Sequence, residues 1–215
     1  DTMARNKYPE VTVEKILDVS QRLFLEKGYD KTTIQDIVDE LGGLSKGAIY
    51  HHFKSKEDIL NALGDRLFAR NNPFEEVKKR TDLSGLEKMK LAILLNQSNE
   101  EQTAFSAQAV PLLKNPRILA GMLETNRRTL CPRWLELIEE GRRDGSIQTD
   151  YPKELSELLI LLDVWLIPSV FPGSSEEIIR RYQCSCEVLA RMGLPIYDEK
   201  AADLLRNHPA LQQDS

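Results

Sequence analysis

Residues 32–56 read TTIQDIVDELGGLSKGAIYHHFKSK. The stretch predicts two short helices joined by a glycine turn, followed by the start of a third. Thr32 with Gln35 fits a capping box, the hydroxyl meeting a free backbone N–H and the amide reaching back. Ile34, Ile37, Val38 and Leu41 recur at helical spacing, which makes one face apolar. Gly42-Gly43 ends that helix, because glycine reaches left-handed dihedrals at little cost. Ser45 caps a second helix, from Lys46 to about Phe53. Ser55 with Asp58 fits the acidic form of the capping box for the third. A helix, a tight turn and a helix present the second helix to the major groove of DNA.

The surface predicted for that second helix agrees. Ile49 and Phe53 are four apart and face inward together. Lys46, Gly47, Ala48, Tyr50, His51 and His52 stay largely outside. Lysine and tyrosine reach phosphates, while histidine hydrogen-bonds either a base edge or a phosphate. Gly47 and Ala48 carry almost no side chain, so backbone can approach DNA closely. From Leu41 to Lys56 the charged residues are Lys46, Lys54 and Lys56, with no acid among them. A solvated helix face normally mixes signs. The plain alternative is a packing helix with three surface lysines; the capped helices on either side weigh against it.

The run Thr32-Thr33, then Ser45-Lys46-Gly47-Ala48-Ile49-Tyr50-His51-His52-Phe53-Lys54-Ser55-Lys56, resembles the DNA-binding domain of the TetR (tetracycline-repressor-like) family. The resemblance begins near Thr12, includes Phe24, Gly28 and Tyr29, and covers roughly residues 10–60. It departs from the family at the turn, where Gly42, Gly43 and Leu44 stand in place of a shorter, one-glycine turn. From Ser45 to Lys56 the match has no gap. The resemblance implies DNA contacts from Thr33, Ser45, Lys46, Gly47, Ala48, Tyr50, His51, His52 and Lys56, with Tyr50 and Lys56 on phosphates.

The whole chain fits a regulator of this kind. Its 215 residues allow one large or two small domains. A hydrophobic fraction of 41% with 29% charged residues is ordinary for a soluble globular protein. The net charge of −5 argues against a protein that coats nucleic acid indiscriminately. It leaves room for a local basic face, because salt limits the reach of distant acids to about 8–10 Å. Three cysteines fit a reduced, cytoplasmic chain better than a disulfide framework. The N-terminal residues do not resemble a signal peptide. The longest apolar run, Leu158 to Val170, is interrupted by Asp163 and Pro168, and a bilayer needs about 20 apolar residues.

Taken in order, residues 1–11 form an arm with Arg5 and Lys7, either lying along phosphates or frayed. Thr12 caps a first helix to Lys27, with Val13, Ile16, Leu17, Ser20, Leu23 and Phe24 as its buried stripe. A fourth helix, Glu57 to Asn71, leaves the DNA-binding unit and stops at Asn71-Asn72-Pro73. Ser84 with Glu87 opens another, to about Asn96. One more covers Gln102 to Lys114, kinked by Pro111. Asn115-Pro116 starts a long helix to Asp144-Gly145. Two long apolar helices follow, Pro152–Val170 and Ser174–Met192. Residues 196–215 are polar, with a short helix at Glu199 to Arg206.

The prediction is thus an all-α protein of about nine helices. An N-terminal three-helix domain with a helix-turn-helix spans 1–56. A helical ligand-binding and dimerisation domain spans 57–195, and a polar tail spans 196–215. The family resemblance implies that the last two long helices pair with those of a second copy. Leu155, Leu158, Leu159, Leu162, Leu166, Ile178, Ile179, Tyr182, Val188 and Leu189 either supply that surface or close the monomer core. It also implies a pocket for a small-molecule inducer. Phe105, Trp134, Trp165 and Tyr182 are its candidate lining, with Gln108, Asn126 and Asp163 as candidate polar anchors, though such side chains at helical spacing also build cores.

Catalytic and metal chemistry find little support. Cys184 and Cys186 lie about 200° apart on a helix, so they cannot readily share a metal. They are expected to be small buried hydrophobes. His51 and His52 point about 100° apart, and His208 lies in the polar tail. No Ser/His/Asp or Cys/His set, Gly-rich phosphate loop or metal-ligand spacing occurs. Neither a cofactor nor an enzymatic activity is therefore expected. The function predicted is a ligand-responsive, homodimeric DNA-binding regulator, a repressor released from a palindromic operator by a small inducer. The alternative is a helical small-molecule-binding or scaffold protein that uses residues 32–56 for protein contacts.

Overall fold

A computed structural model describes residues 9–197 of the chain. The arm residues Arg5 and Lys7, the short helix expected at Glu199–Arg206 and His208 lie outside the described residues. Within them the regular elements are all helical: α1 (Pro9–Lys27), α2 (Ile34–Leu41), α3 (Lys46–His52), α4 (Lys56–Arg70), α5 (Pro73–Lys78), α6 (Gly85–Ser98), α7 (Glu100–Ala109), α8 (Pro116–Asp144), α9 (Pro152–Trp165) and α10 (Ser175–Arg191). A 3-10 turn, Val110–Lys114, follows α7. The chain forms two compact units, which divide inside α4 between Arg66 and Leu67.

The first unit packs α1 to the first turns of α4 around a small core. Ile16, Leu17, Leu23 and Phe24 of α1 meet Ile37 of α2, Ile49 of α3 and Phe53, with Ile59, Leu60 and Leu63 of α4, all buried. α1 is already helical at Pro9, so Thr12 is a buried residue inside it and not its cap. Arg66, only 9% exposed, fixes α4 to α1: its guanidinium donates to Glu14, Asp18 and Gln21 at 3.0, 2.7 and 2.7 Å.

The second unit gathers α5 to α10. Its core joins Phe74 and Val77 of α5, Met89 and Ala92 of α6, Leu137 and Ile138 of α8, Leu155 and Leu159 of α9, and Leu189 of α10. Leu194 and Ile196, beyond α10, complete it. α6 crosses α8 at two glycines: a Cβ at Gly85 would stand 2.2 Å from the Gly141 backbone nitrogen. The start of α6 is capped twice. Ser84 and Glu87 form the capping box expected of them. Asp144, the last residue of α8, and Ser146 just beyond it accept the N–H groups of Gly85 and Leu86. Lys88 of α6 is buried and pairs with Glu140 of α8.

Several boundaries differ from expectation, each for a local reason. α5 forms at the segment expected to be a break, because Asn72 caps it and Pro73 takes its first position. Pro111 does not kink α7; the chain tightens into the 3-10 turn there. α9 ends at Trp165, ahead of Pro168. The Ser169 hydroxyl donates to the Val110 carbonyl and fixes the following loop to that turn. Leu155, Leu159, Ile178, Tyr182 and Leu189 are buried inside the unit, so these five close the monomer core. Cys184 is exposed and Cys186 half-buried, against the expectation that both are buried; Cys131 is buried.

Candidate nucleic-acid interface

The turn ahead of α3 depends on two glycines in left-handed territory. Gly42, at φ 47°, ends α2, and Gly43 follows at φ 120°. Ser45 then caps α3, its hydroxyl accepting from the Ala48 N–H at 3.2 Å. The cap of α2 sits one residue later than the pattern suggested. Thr33, not Thr32, accepts from the Asp36 N–H, and the Asp36 carboxylate accepts from the Thr33 N–H and hydroxyl at 2.7 Å each. These bonds hold the Asp36 carboxyl down at about 2. Thr32 is fully buried instead, its hydroxyl donating to the carbonyls of Leu23 and Gly28. Gln35 reaches Asp39 rather than the helix start.

α3 is pinned by two side chains and open elsewhere. Ile49 is completely buried and Phe53 nearly so. Lys46, Gly47, Tyr50 and His51 are exposed, while Ala48 and His52 are half-buried. The rings of His51 and His52 meet edge to face at 5.2 Å. Gly47 has an ordinary backbone, and a Cβ there would meet only the Ser45 Oγ at 3.7 Å. Nothing in the fold requires glycine at that position.

Lys56 is placed differently from the other lysines. Its ammonium donates to the carbonyls of Tyr29 at 2.7 Å and Thr32 at 2.9 Å, and stands 4.1 Å from the centre of the Tyr29 ring. Burial lowers its pKa, against the opposing pull of Asp30 and Glu57. An ammonium has three N–H donors, so two are committed to the loop between α1 and α2. Tyr29 itself packs edge-on against Phe24 at 5.1 Å. The run Phe24, Gly28, Tyr29, Thr32 and Lys56 therefore forms one structural clasp behind the turn. Ser55 caps Asp58, while the Asp58 carboxylate accepts from the Lys54 N–H rather than from Ser55.

In the second unit the four candidate aromatics have different surroundings. Trp134 packs edge-on against Phe74 at 4.6 Å, at the margin of the core. Tyr182 is buried and meets Tyr197 at 5.2 Å. Phe105 on α7 and Trp165 at the end of α9 are half-buried. Gln108 is exposed and Asn126 half-buried. Asp163, near the end of α9, is exposed, while the protein atoms crowded around it push its carboxyl up to about 7. Tyr197, which the sequence did not single out, is drawn into the same electrostatic group. Among the described residues no cluster of His, Cys, Asp and Glu is arranged to hold a metal ion, and no helix is long and apolar enough to cross a membrane.

Comparison with known proteins accounts for this arrangement. Residues 16–63, which hold most of α1, all of α2 and α3 and the start of α4, match the profile of bacterial regulatory proteins of the tetR family. The HTH-type transcriptional repressor KstR2 of Mycolicibacterium smegmatis is 30% identical over 182 residues, covering 79% of this chain and 85% of that protein. KstR2 of Rhodococcus jostii is 33% identical, covering 75% of this chain and 80% of its own length. Among solved structures, the TetR-family repressor FadR of Thermus thermophilus, in complex with lauroyl-CoA, shares the fold with a TM-score of 0.59 at 20% identity, over 80% of this chain and 92% of that one. With the helix-turn-helix in place and similarity to named repressors over three quarters or more of each chain, the chain belongs to the TetR family and is a DNA-binding transcription regulator.

Proposed function

We propose that the protein is a cytoplasmic, homodimeric repressor that reads a two-fold-symmetric operator through α3 and is released by a small molecule bound in its second unit. The observation that carries the reading is the outward face of α3. Lys46, Gly47, Tyr50 and His51 are exposed on a helix fixed from behind by Ile49 and Phe53. The fold has no use for glycine at Gly47. Its smallness suits an approach from outside, as a backbone docking in a groove requires. Lys46 and Tyr50 supply phosphate contacts, and the imidazoles supply groups that hydrogen-bond to base edges or phosphates. Two heads on one dimer match two half-sites.

Release by a ligand follows if the ligand binds the DNA-incompetent conformation more tightly. Couplings of this kind are typically about 1–3 kcal/mol. The test of DNA reading is binding-site selection from random duplexes, with wild type, His51→Ala and Gly47→Leu compared. Wild type is expected to select a two-fold motif. His51→Ala is expected to change which bases matter, by about 1–3 kcal/mol for a good base contact. Gly47→Leu is expected to lose specific binding while staying folded, because the added side chain meets no part of the fold. Identical selected motifs for all three would show that α3 does not read DNA.

A further inference from the structure

The first part of α8 turns a partly polar stripe into the second unit. At helical spacing, Ile118, Met122, Asn126, Thr129 and Arg133 fall within an arc of about 80°. Ile118 is buried and the other four are half-buried. Arg117, Ala120, Glu124, Arg127 and Arg128, on the opposite side, are exposed. The inward face of a helix is ordinarily apolar, yet this one ends in Asn126, Thr129 and Arg133. The Thr129 hydroxyl donates to the Thr125 carbonyl at 2.8 Å and is accounted for. Among the described residues the Asn126 amide has no partner.

Arg133 differs from the other arginines of this unit. Among the described residues Arg133 and Arg181 are half-buried, and the rest are exposed. Arg181 donates through both Nη atoms to the Phe171 and Pro172 carbonyls, at 2.6 and 3.0 Å. Arg133 uses Nη1 alone, on the Thr129 carbonyl of its own helix at 2.5 Å. That bond folds the side chain back along the stripe. The guanidinium carbon stands 5.4 Å from the centre of the Phe68 ring, within cation–π range. Among the described residues no acid meets it. Glu136, one turn on, pairs with Lys78 at 2.9 Å, Glu140 pairs with Lys88, and Glu101 accepts from Asn71. The fork of Nε and Nη2 is therefore without an acceptor. Such forks match the paired oxygens of a carboxylate or a phosphate. A half-buried guanidinium on the same stripe as an unpartnered amide attracts an anion and repels a cation. Phe68 and Trp134, at the margin of the core, and Met122, further along the stripe, supply apolar surface beside it.

We propose that Arg133, assisted by Asn126, is the anion-binding residue of the effector site, which takes an apolar molecule ending in a carboxylate or a phosphate. This rests on the effector-responsive reading above and names the chemistry of its ligand. The oxyanion sits on the Nε and Nη2 fork, the Asn126 amide donates to a further oxygen of the ligand, and the Phe68 ring backs the guanidinium.

The experiment is calorimetric titration of the full chain with four matched probes: octanoate, octyl phosphate, octanol and octyltrimethylammonium. The better of the two anions is expected to bind at least about tenfold more tightly than the alcohol and the ammonium, the low end of what hydrogen bonds to a charged group contribute. Whichever anion leads names the source, a carboxylic acid or a phosphate ester. Arg133→Gln is expected to remove the preference and leave octanol binding as in wild type, with helical circular dichroism and melting temperature retained. Arg133→Lys, which keeps the charge without the fork, is expected to fall between the two. Equal binding of the four probes, no binding of either anion, tighter binding of the ammonium, or an anion preference that persists in Arg133→Gln would each overturn the proposal. So would the loss of all four probes together in Arg133→Gln, which is what a merely structural role gives. An Asn126→Ala protein that binds the anions as wild type does would remove Asn126 from the site. Site selection through α3 separates the two readings. If it succeeds while the anions fail, only the ligand chemistry falls; if both fail, the regulator reading falls with it.

Discussion

At the scale of single residues, one side chain can serve the fold and the function together, and Lys56 separates the two by measurement. Its two bonds to the Tyr29 and Thr32 carbonyls close the loop that sets the start of α2. Lys56→Ala leaves both carbonyls without that donor, and hydrogen bonds to charged groups are worth about 1.5–3 kcal/mol. The variant is expected to melt earlier than wild type in the absence of DNA. If the third N–H also meets a phosphate, the salt slope of operator binding drops by about one as well. Tyr50→Phe is the contrast: Tyr50 is exposed, so its melting temperature should hold while affinity falls on all sequences alike. A Lys56→Ala protein as stable as wild type would remove the clasp from the account.

Asp163 makes a second prediction at this scale, in the opposite direction. Its folded pKa of about 7 lies above the ordinary aspartate value of 3.8. The folded protein therefore holds a proton that the unfolded chain releases between those two values. The stabilising contribution is complete below the lower value and is lost as pH rises through the upper one. Asp163→Asn has no such loss. Its melting temperature is expected to exceed that of wild type at pH 8, with the gap closing as the pH falls toward 4. A gap that does not change with pH would mean that Asp163 is not crowded in this way.

At the scale of elements, the helix starts that depend on neighbours in sequence were legible, and those that depend on tertiary burial were not. Ser45, Ser84 with Glu87, Asn115 with Pro116, and Ser174 with Glu177 all begin helices where their local pattern places them. Thr32 and Thr33 are chemically equal candidates. Only the packing of Thr32 against the Leu23 and Gly28 carbonyls decides between them. α5 was missed because an Asn-Pro pair both ends one helix and starts the next. Asp163 was legible both as an interruption of an apolar run and as a candidate polar anchor, but the crowding that raises its pKa was not, because it comes from atoms distant in sequence. The Gly85–Gly141 crossing was invisible, since the two glycines are far apart in sequence. It is now the clearest stability prediction among the elements. Gly85→Ala forces a Cβ against the α8 backbone, and overpacking costs about 1–3 kcal/mol. The melting temperature should fall by the corresponding amount; Gly47→Ala, whose Cβ meets only a distant hydroxyl, should hold or slightly raise it, because alanine favours a helix over glycine.

At the scale of the whole molecule, the proposed homodimer requires a surface that brings two reading heads together. Half of the apolar residues first considered for that role are consumed by the monomer core. What α9 and α10 leave outside is Leu161, 58% exposed, and Val188, 38% exposed, with Leu158, Leu162 and Ile179 half-buried. In a two-fold interface each residue occurs twice, on the same self-complementary patch. Leu161→Glu therefore introduces two carboxylates at once on a surface that should exclude water. Because Leu161 is exposed in the monomer, the change should not disturb the unit's own core. Wild type is expected to sediment as a dimer at micromolar concentration, and Leu161→Glu to shift toward monomer. Operator affinity should fall with it, because two linked heads gain about 10²–10⁴ over one by effective concentration. Footprints of the residual complex should still show the same bases contacted within a half-site, since α3 is untouched. A Leu161→Glu protein that remains dimeric with full operator affinity would place the dimer contact on another face of the second unit.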